Sequence, residues 1–218
     1  MPTHARERLV AAAEKLFYSD GIHAVGVDRL LSVSGVGRAS FYRHFTSKDD
    51  LVVEIIERYD RRWRDMLEEA VQAQSGDPLA VFDALGAQFA APEFRGCASI
   101  NAMVEVADPE SRAYQVAVRH KHLVIAFLDG LLKEAGVSGH EAMAQRFMML
   151  MDGATVTALR ERDPSPARDS KEIARGLMER PPGVEEAPAA RERPEPPPAP
   201  ARPAAGADRH GGRRGGSE

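Results

Sequence analysis

The tightest constraint in this chain is a glycine-centred break, Ser34-Gly35-Val36, between two short apolar repeats. Before it, Val27, Leu30 and Leu31 recur at helical spacing and supply one buried face. After it, Phe41 and Phe45 stand four apart, so both point the same way from a second short helix. Gly35 suits the positive φ of a sharp turn, and Val36 plugs the angle between the helices. With both phenylalanines inward, Arg38, Ser40, Tyr42, Arg43 and His44 are left largely toward solvent. Such a helix-turn-helix braces its second helix for entry into a DNA major groove.

The outward residues suit a polyanion. Arg38 can form a bidentate contact with guanine or pair with phosphate. Ser40 and Tyr42 carry hydroxyls for phosphate oxygens, and His44 can donate a hydrogen bond there. Thr46-Ser47-Lys48-Asp49-Asp50 opens a further helix: Ser47 with Asp50 fits a capping box, and Lys48 beside free backbone N–H groups suits a phosphate. Upstream, Leu9, Ala12, Ala13, Leu16 and Phe17 form one stripe on a helix spanning about residues 3–19. Gly21 follows as a left-handed cap, with Ile22 folding back on the helix.

Residues 5–55 therefore resemble the DNA-binding domain of the TetR family of one-component regulators. The phrases Ala11-Ala12-Ala13-Glu14-Lys15-Leu16-Phe17, Gly35-Val36, and Phe41-Tyr42-Arg43-His44-Phe45 followed by Ser47-Lys48 carry the likeness. The resemblance implies that Arg38, Ala39, Ser40 and Arg43 face the groove, with Ala39 small enough for close approach, and that Tyr42, His44 and Lys48 meet phosphates. Gly26, Val27 and Gly37 depart from the family, which often has hydroxyl-bearing caps there; glycine N-caps are tolerable. Asp28 would oppose phosphate, so it is expected to serve the helix N-terminus or a neighbouring arginine.

The formal net charge of −4 excludes a histone-like basic body but not a regulator with a local basic face. Cys97 is the only cysteine, so no intramolecular disulfide can form, and a reducing, cytoplasmic location is expected. Its place after Gly96 near a helix start could lower its pKa, although a buried small hydrophobe is the plainer reading. No apolar run reaches the roughly twenty residues of a membrane span, and no hydrophobic signal region opens the chain.

Helical punctuation continues beyond a fourth helix running to about Gln74. Asp77-Pro78 starts one with a Leu79, Phe82, Leu85, Phe89 stripe, and a shorter one covers about residues 99–106. Asp108-Pro109-Glu110 signals the next, whose stripe runs from Ala113 through His120 to Leu132. Ser138 with Glu141 reads as a capping box for a helix ended by Asp163-Pro164, and a last helix covers about residues 170–179. Strand signals are lacking. Residues 181–218 hold nine of the fifteen prolines and little to bury, so a disordered, passive tail is expected, with Arg213-Arg214 able to brush DNA nonspecifically.

The expected fold is all-α: a helix-turn-helix domain (1–47), a helical effector-binding and dimerisation domain entered through the long fourth helix (48–180), and the tail (181–218). The family resemblance implies a homodimer and a small-molecule effector. Gly153, Ala154, Thr155, Thr157 and Ala158 are small enough for a close symmetric interface or for an intramolecular contact. Trp63, Phe82, Phe89, Met103, Phe127, Phe147, Met148 and Met151 are the candidates to line an apolar pocket, or are plain core. No metal site, cofactor motif or catalytic signature emerges: His120 and His122 point to different faces, and nothing in the sequence favours a nucleophilic Cys97–His pair. The expected function is a ligand-responsive repressor, not an enzyme, that binds a pseudo-palindromic double-stranded operator and leaves it on binding an apolar or aromatic effector. The alternative is a ligand-binding protein of the same fold with weak or lost DNA binding.

Overall fold

The computed structural model describes residues 3–179, and the expected tail at 181–218 lies outside them. The described residues form α-helices and no strand: α1 (Thr3–Asp20), α2 (Val27–Ser34), α3 (Arg38–His44), α4 (Lys48–Ala73), α5 (Ala80–Phe89), α6 (Ala98–Val106), α7 (Arg112–Glu134), α8 (His140–Glu161) and α9 (Ser165–Glu179). None of these helices is long and apolar enough to cross a membrane.

Two apolar cores organise the chain. The first gathers Leu9, Ala13, Leu16 and Phe17 of α1, Leu30 of α2, Phe41 of α3, Phe45 and the start of α4 from Leu51 to Ile56. It also takes in Ala102 of α6 and Ala113 and Ala117 of α7, so the small N-terminal helices are seated on helices far along the chain. The second core joins Trp63, Leu67 and Val71 of α4 to α5, the distal half of α7, α8 and α9. At 26 residues α4 spans about 39 Å. Both α4 and α7 thus contribute to both cores, which makes them the mechanical links between them.

The start of α4 was legible in the sequence, and those of α7, α8 and α9 less so. Ser47 Oγ accepts from Asp50 N at 3.1 Å and opens α4 as expected. For α7 the cap is Ser111, whose Oγ accepts from Tyr114 N at 3.2 Å; Asp108 instead holds the preceding turn by accepting from Glu110 N. The expected Ser138 box at α8 is replaced by Gly139 in the left-handed region (φ 67°), with no side-chain cap. The expected start of α9 near residue 170 is also corrected: Asp163 Oδ1 accepts from Ser165 N at 3.0 Å, and the helix begins there. The Asp-Pro pair that ends α8 is also the start signal of α9.

Phe41 is fully buried and packs against Phe45 at 6.1 Å between ring centroids. Phe41→Ala should cost about 3–5 kcal/mol of stability. Chemical denaturation checks this; a loss under about 1 kcal/mol would mean that α3 is not anchored there.

Candidate nucleic-acid interface

Three backbone features set the pose of α3. Gly35 ends α2 at φ 63°, ψ 29°, and its N–H bonds Leu31 O. A Cβ there would be strained, so the tight turn depends on glycine. Gly37, extended at φ −73°, ψ 152°, then starts α3, its carbonyl accepting from Ser40 N and Phe41 N at 2.9 and 3.0 Å. At the far end Phe45 N bonds Phe41 O at 2.9 Å, and the Phe45 ring carries the Arg6 guanidinium at 5.5 Å. Neither Gly26 nor Gly37 provides a side-chain cap, so α2 and α3 both begin on bare backbone N–H groups.

Arg38, Ala39 and Arg43 are exposed and Ser40 is half-buried beneath Arg43, whose guanidinium donates to Ser40 Oγ at 3.0 Å. Tyr42 is 49% exposed, its ring edge-on to Phe41. Arg38 is ion-paired with Asp28 of α2, one of the two roles anticipated for that carboxylate.

The expected phosphate contacts are less uniform. Lys48 donates to Ile22 O at 2.6 Å and so closes the α1–α2 loop against the start of α4. His44 corrects the expectation of a solvent-facing side chain: it is half-buried, and its Nε2 is sealed without a partner. The same loop docks on α6, where Glu105 accepts from His23 N at 3.0 Å. Gly21, at φ 93°, is pressed so close to that carboxylate that a Cβ would meet it at 3.0 Å. This α6 contact was not legible in the sequence, because nothing local signals a partner some eighty residues away.

Of the apolar candidates, Trp63, Phe82, Phe89, Phe127, Phe147, Met148 and Met151 come together in the second core, with the Phe82 and Phe147 rings 5.4 Å apart. Met103 does not join them, because its face of α6 packs on the first core. Two concavities of about 340 and 440 Å³ lie elsewhere, one between α7 and α8 beside His122 and Glu141, the other between Val137 and Met178. Among the described residues no group of three or more His, Cys, Asp or Glu side chains could hold a metal ion.

The family model described as "Bacterial regulatory proteins, tetR family" matches residues 9–55, the stretch that carries α2, α3 and their support. A solved TetR-family transcriptional regulator from Streptomyces coelicolor is 31% identical, covering 81% of this chain and 95% of that one with a TM-score of 0.75. The chain belongs to the TetR family of transcriptional regulators. The reduced form of NemR from Escherichia coli superposes with a TM-score of 0.71 at 26% identity, covering 79% of this chain and 95% of that one. In sequence, the E. coli K12 transcriptional repressor NemR is 29% identical over 62% of this chain and 70% of its own length. The transcriptional activator FasR of Mycolicibacterium smegmatis is 26% identical over 63% of each chain.

The Arg38–Asp28 pair is exposed, and such pairs contribute about 0–1 kcal/mol, so phosphate or a base edge can displace the carboxylate. Asp28→Asn should raise affinity for duplex DNA about fivefold at low salt, with the gain shrinking as salt is added. Fluorescence anisotropy tests this; weaker binding would mean that Asp28 positions Arg38 instead of competing for it.

Proposed function

We propose that the chain is a homodimeric, cytoplasmic repressor that reads a pseudo-palindromic operator through α3 and is released by a small apolar or aromatic effector. The observation that carries the DNA reading is the outward face of α3, anchored from behind by Phe41 and Phe45. Arg38, Ala39, Ser40 and Arg43 meet base edges; Tyr42, His44 and Lys48 meet phosphates, His44 after turning its ring and Lys48 with the donor hydrogens that Ile22 leaves free. The relative named a repressor supports the sign of regulation. Residues 1–47 act as the reading head and 48–180 as the sensing and dimerising part.

The dimer rests on an apolar strip that a lone chain leaves in water. Met149 and Val156 of α8 are 74% and 52% exposed, and Ile173 of α9 is 54% exposed. Gly153 lies between the first two with nothing near its Cβ position, so a second helix can approach closely. Ala154, Thr155 and Ala158 do not belong to that strip; they are buried within the chain, the intramolecular one of the two alternatives their size allowed. A two-fold axis through α8 and α9 places two α3 helices on half-sites about 34–36 Å apart or a multiple of that. The effector enters among Trp63, Phe82, Phe89, Phe127, Phe147, Met148 and Met151, where the methionines repack around it, with Met103 responding from α6. A tenfold affinity ratio between the two conformers needs only about 1.4 kcal/mol of coupling.

Selection from a random duplex pool is the test. It should enrich an inverted repeat; no enriched sequence would leave a ligand-binding protein of this fold without DNA function. On the selected duplex, Arg38→Ala should relax base preference, costing about 1–3 kcal/mol, while Lys48→Ala weakens all sequences alike with a shallower salt slope. Val156→Asp should shift sedimentation from dimer to monomer, and an unchanged dimer would refute the α8–α9 face.

A further inference from the structure

We propose that Asp28, the carboxylate held by Arg38, itself reads a base: it accepts a hydrogen from the N4 amino group of a cytosine beside the guanine that Arg38 contacts. The inference rests on the reading of α3 as the groove-facing helix, and it adds the start of α2 to the reading face.

Asp28 stands in the first turn of α2, where its neighbours are committed elsewhere. Val27, Leu30 and Leu31 pack on the first core, and Arg29 turns back to Asp20 of α1 at 2.5 Å. The Asp28 side chain is left 84% exposed. Among the described residues its hydrogen-bond partner is the guanidinium of Arg38, the first residue of α3. No side chain caps α2, so the carboxylate is not engaged by the helix's own N–H groups. The pair therefore joins the starts of two helices at one exposed point.

The backbone on either side of that point is bare. Gly26 and Gly37, the N-cap residues of α2 and α3, lie at φ −79° and −73°, which any residue adopts. A Cβ at either would meet nothing within 4 Å. The fold thus requires glycine at neither place, and the missing side chains leave both helix starts open to close approach by a duplex.

An exposed arginine–aspartate pair offers two complementary edges, since a guanidinium only donates and an ionised carboxylate only accepts. A G·C pair presents the matching arrangement in the major groove: guanine N7 and O6 accept, and cytosine N4 beside them donates. Because Asp28 and Arg38 touch, their targets must lie in one base pair or in adjacent ones, about 3.4 Å apart. As Arg38 turns to guanine, the Asp28 oxygens are released toward the amino group, so each member exchanges one partner for another and neither charge is stranded. Nearby phosphates disfavour the carboxylate on every duplex, and only a donor in the groove offsets that repulsion. Guanine O6 or thymine O4 in the cytosine's place would set an acceptor against it. Adenine N6 donates, but its N7 acceptor lies alongside. Asp28 therefore acts by exclusion as much as by attraction, whereas Arg38 and Arg43 are drawn to any phosphate. The gain in affinity expected of Asp28→Asn on duplex DNA at large reports the general repulsion; base preference is a separate quantity.

The test is fluorescence anisotropy of the full chain on variants of the selected duplex. Arg38→Ala first locates the guanine, as the position whose preference it abolishes. A cytosine should lie within one base pair of that guanine, and replacing it by thymine should weaken wild-type binding about tenfold. N4-methylcytosine still pairs with guanine but covers the groove-side hydrogen, and it should weaken binding by a similar factor. Asp28→Ala should bind the cytosine, thymine and methylated duplexes within about twofold of one another while keeping the preference for guanine. A selected site without that cytosine, full wild-type affinity for the methylated base, or an Asp28→Ala chain that still prefers cytosine tenfold would each overturn the role of Asp28. In those cases a guanine preference lost in Arg38→Ala would leave the reading of α3 standing. An Arg38→Ala chain with unchanged preference at every position would overturn that reading, and this inference with it.

Discussion

A seven-residue helix is too short to hold itself together, so α3 exists because Phe41 and Phe45 are buried. The outward face of α3 follows from that anchorage. With two ring positions committed inward, helical geometry leaves Arg38, Ala39, Tyr42 and Arg43 outside. Gly35 sets the angle at which that face is presented, since only a left-handed residue closes so tight a turn without strain. The family membership shown by the sequence and structural relatives is the evolutionary counterpart of the same constraint.

The head is not a free-standing module. Its core borrows Ala102, Ala113 and Ala117; Glu105 near the end of α6 holds its α1–α2 loop, and Tyr18 of α1 bonds the backbone of Arg95 and Gly96 just before α6. Small alanines at these positions let α6 and α7 lie close to α1 and α4. A displacement of α6 is therefore felt directly beneath α1, without passing through the whole length of α4.

Local order was the most legible part of the sequence. The repeat in α1, the Ser34-Gly35-Val36 turn and the Ser47 cap are written within a few residues of where they act. Helix starts were misread at Ser138 and near residue 170, where a left-handed glycine and a dual-purpose Asp-Pro pair took the place of a side-chain cap. The Asp28–Arg38 pair could be anticipated because a carboxylate among exposed cationic side chains tends to find one of them. Long-range pairings could not: Asp60 and His120 each look ordinary in their own helix, and only the packing of α4 against α7 brings them together. The inward set of Ala154 and Ala158 was likewise invisible, since small residues suit an interface and a core equally.

The account stands on α3 being the surface that meets DNA while the second core stays dry of it. Hydrogen exchange of the full chain, with and without the selected duplex, measures this most directly. Residues 37–48 should gain protection on binding, and α8 and α9 should be unchanged. Protection confined to α7–α9, with α3 exchanging as before, would contradict it.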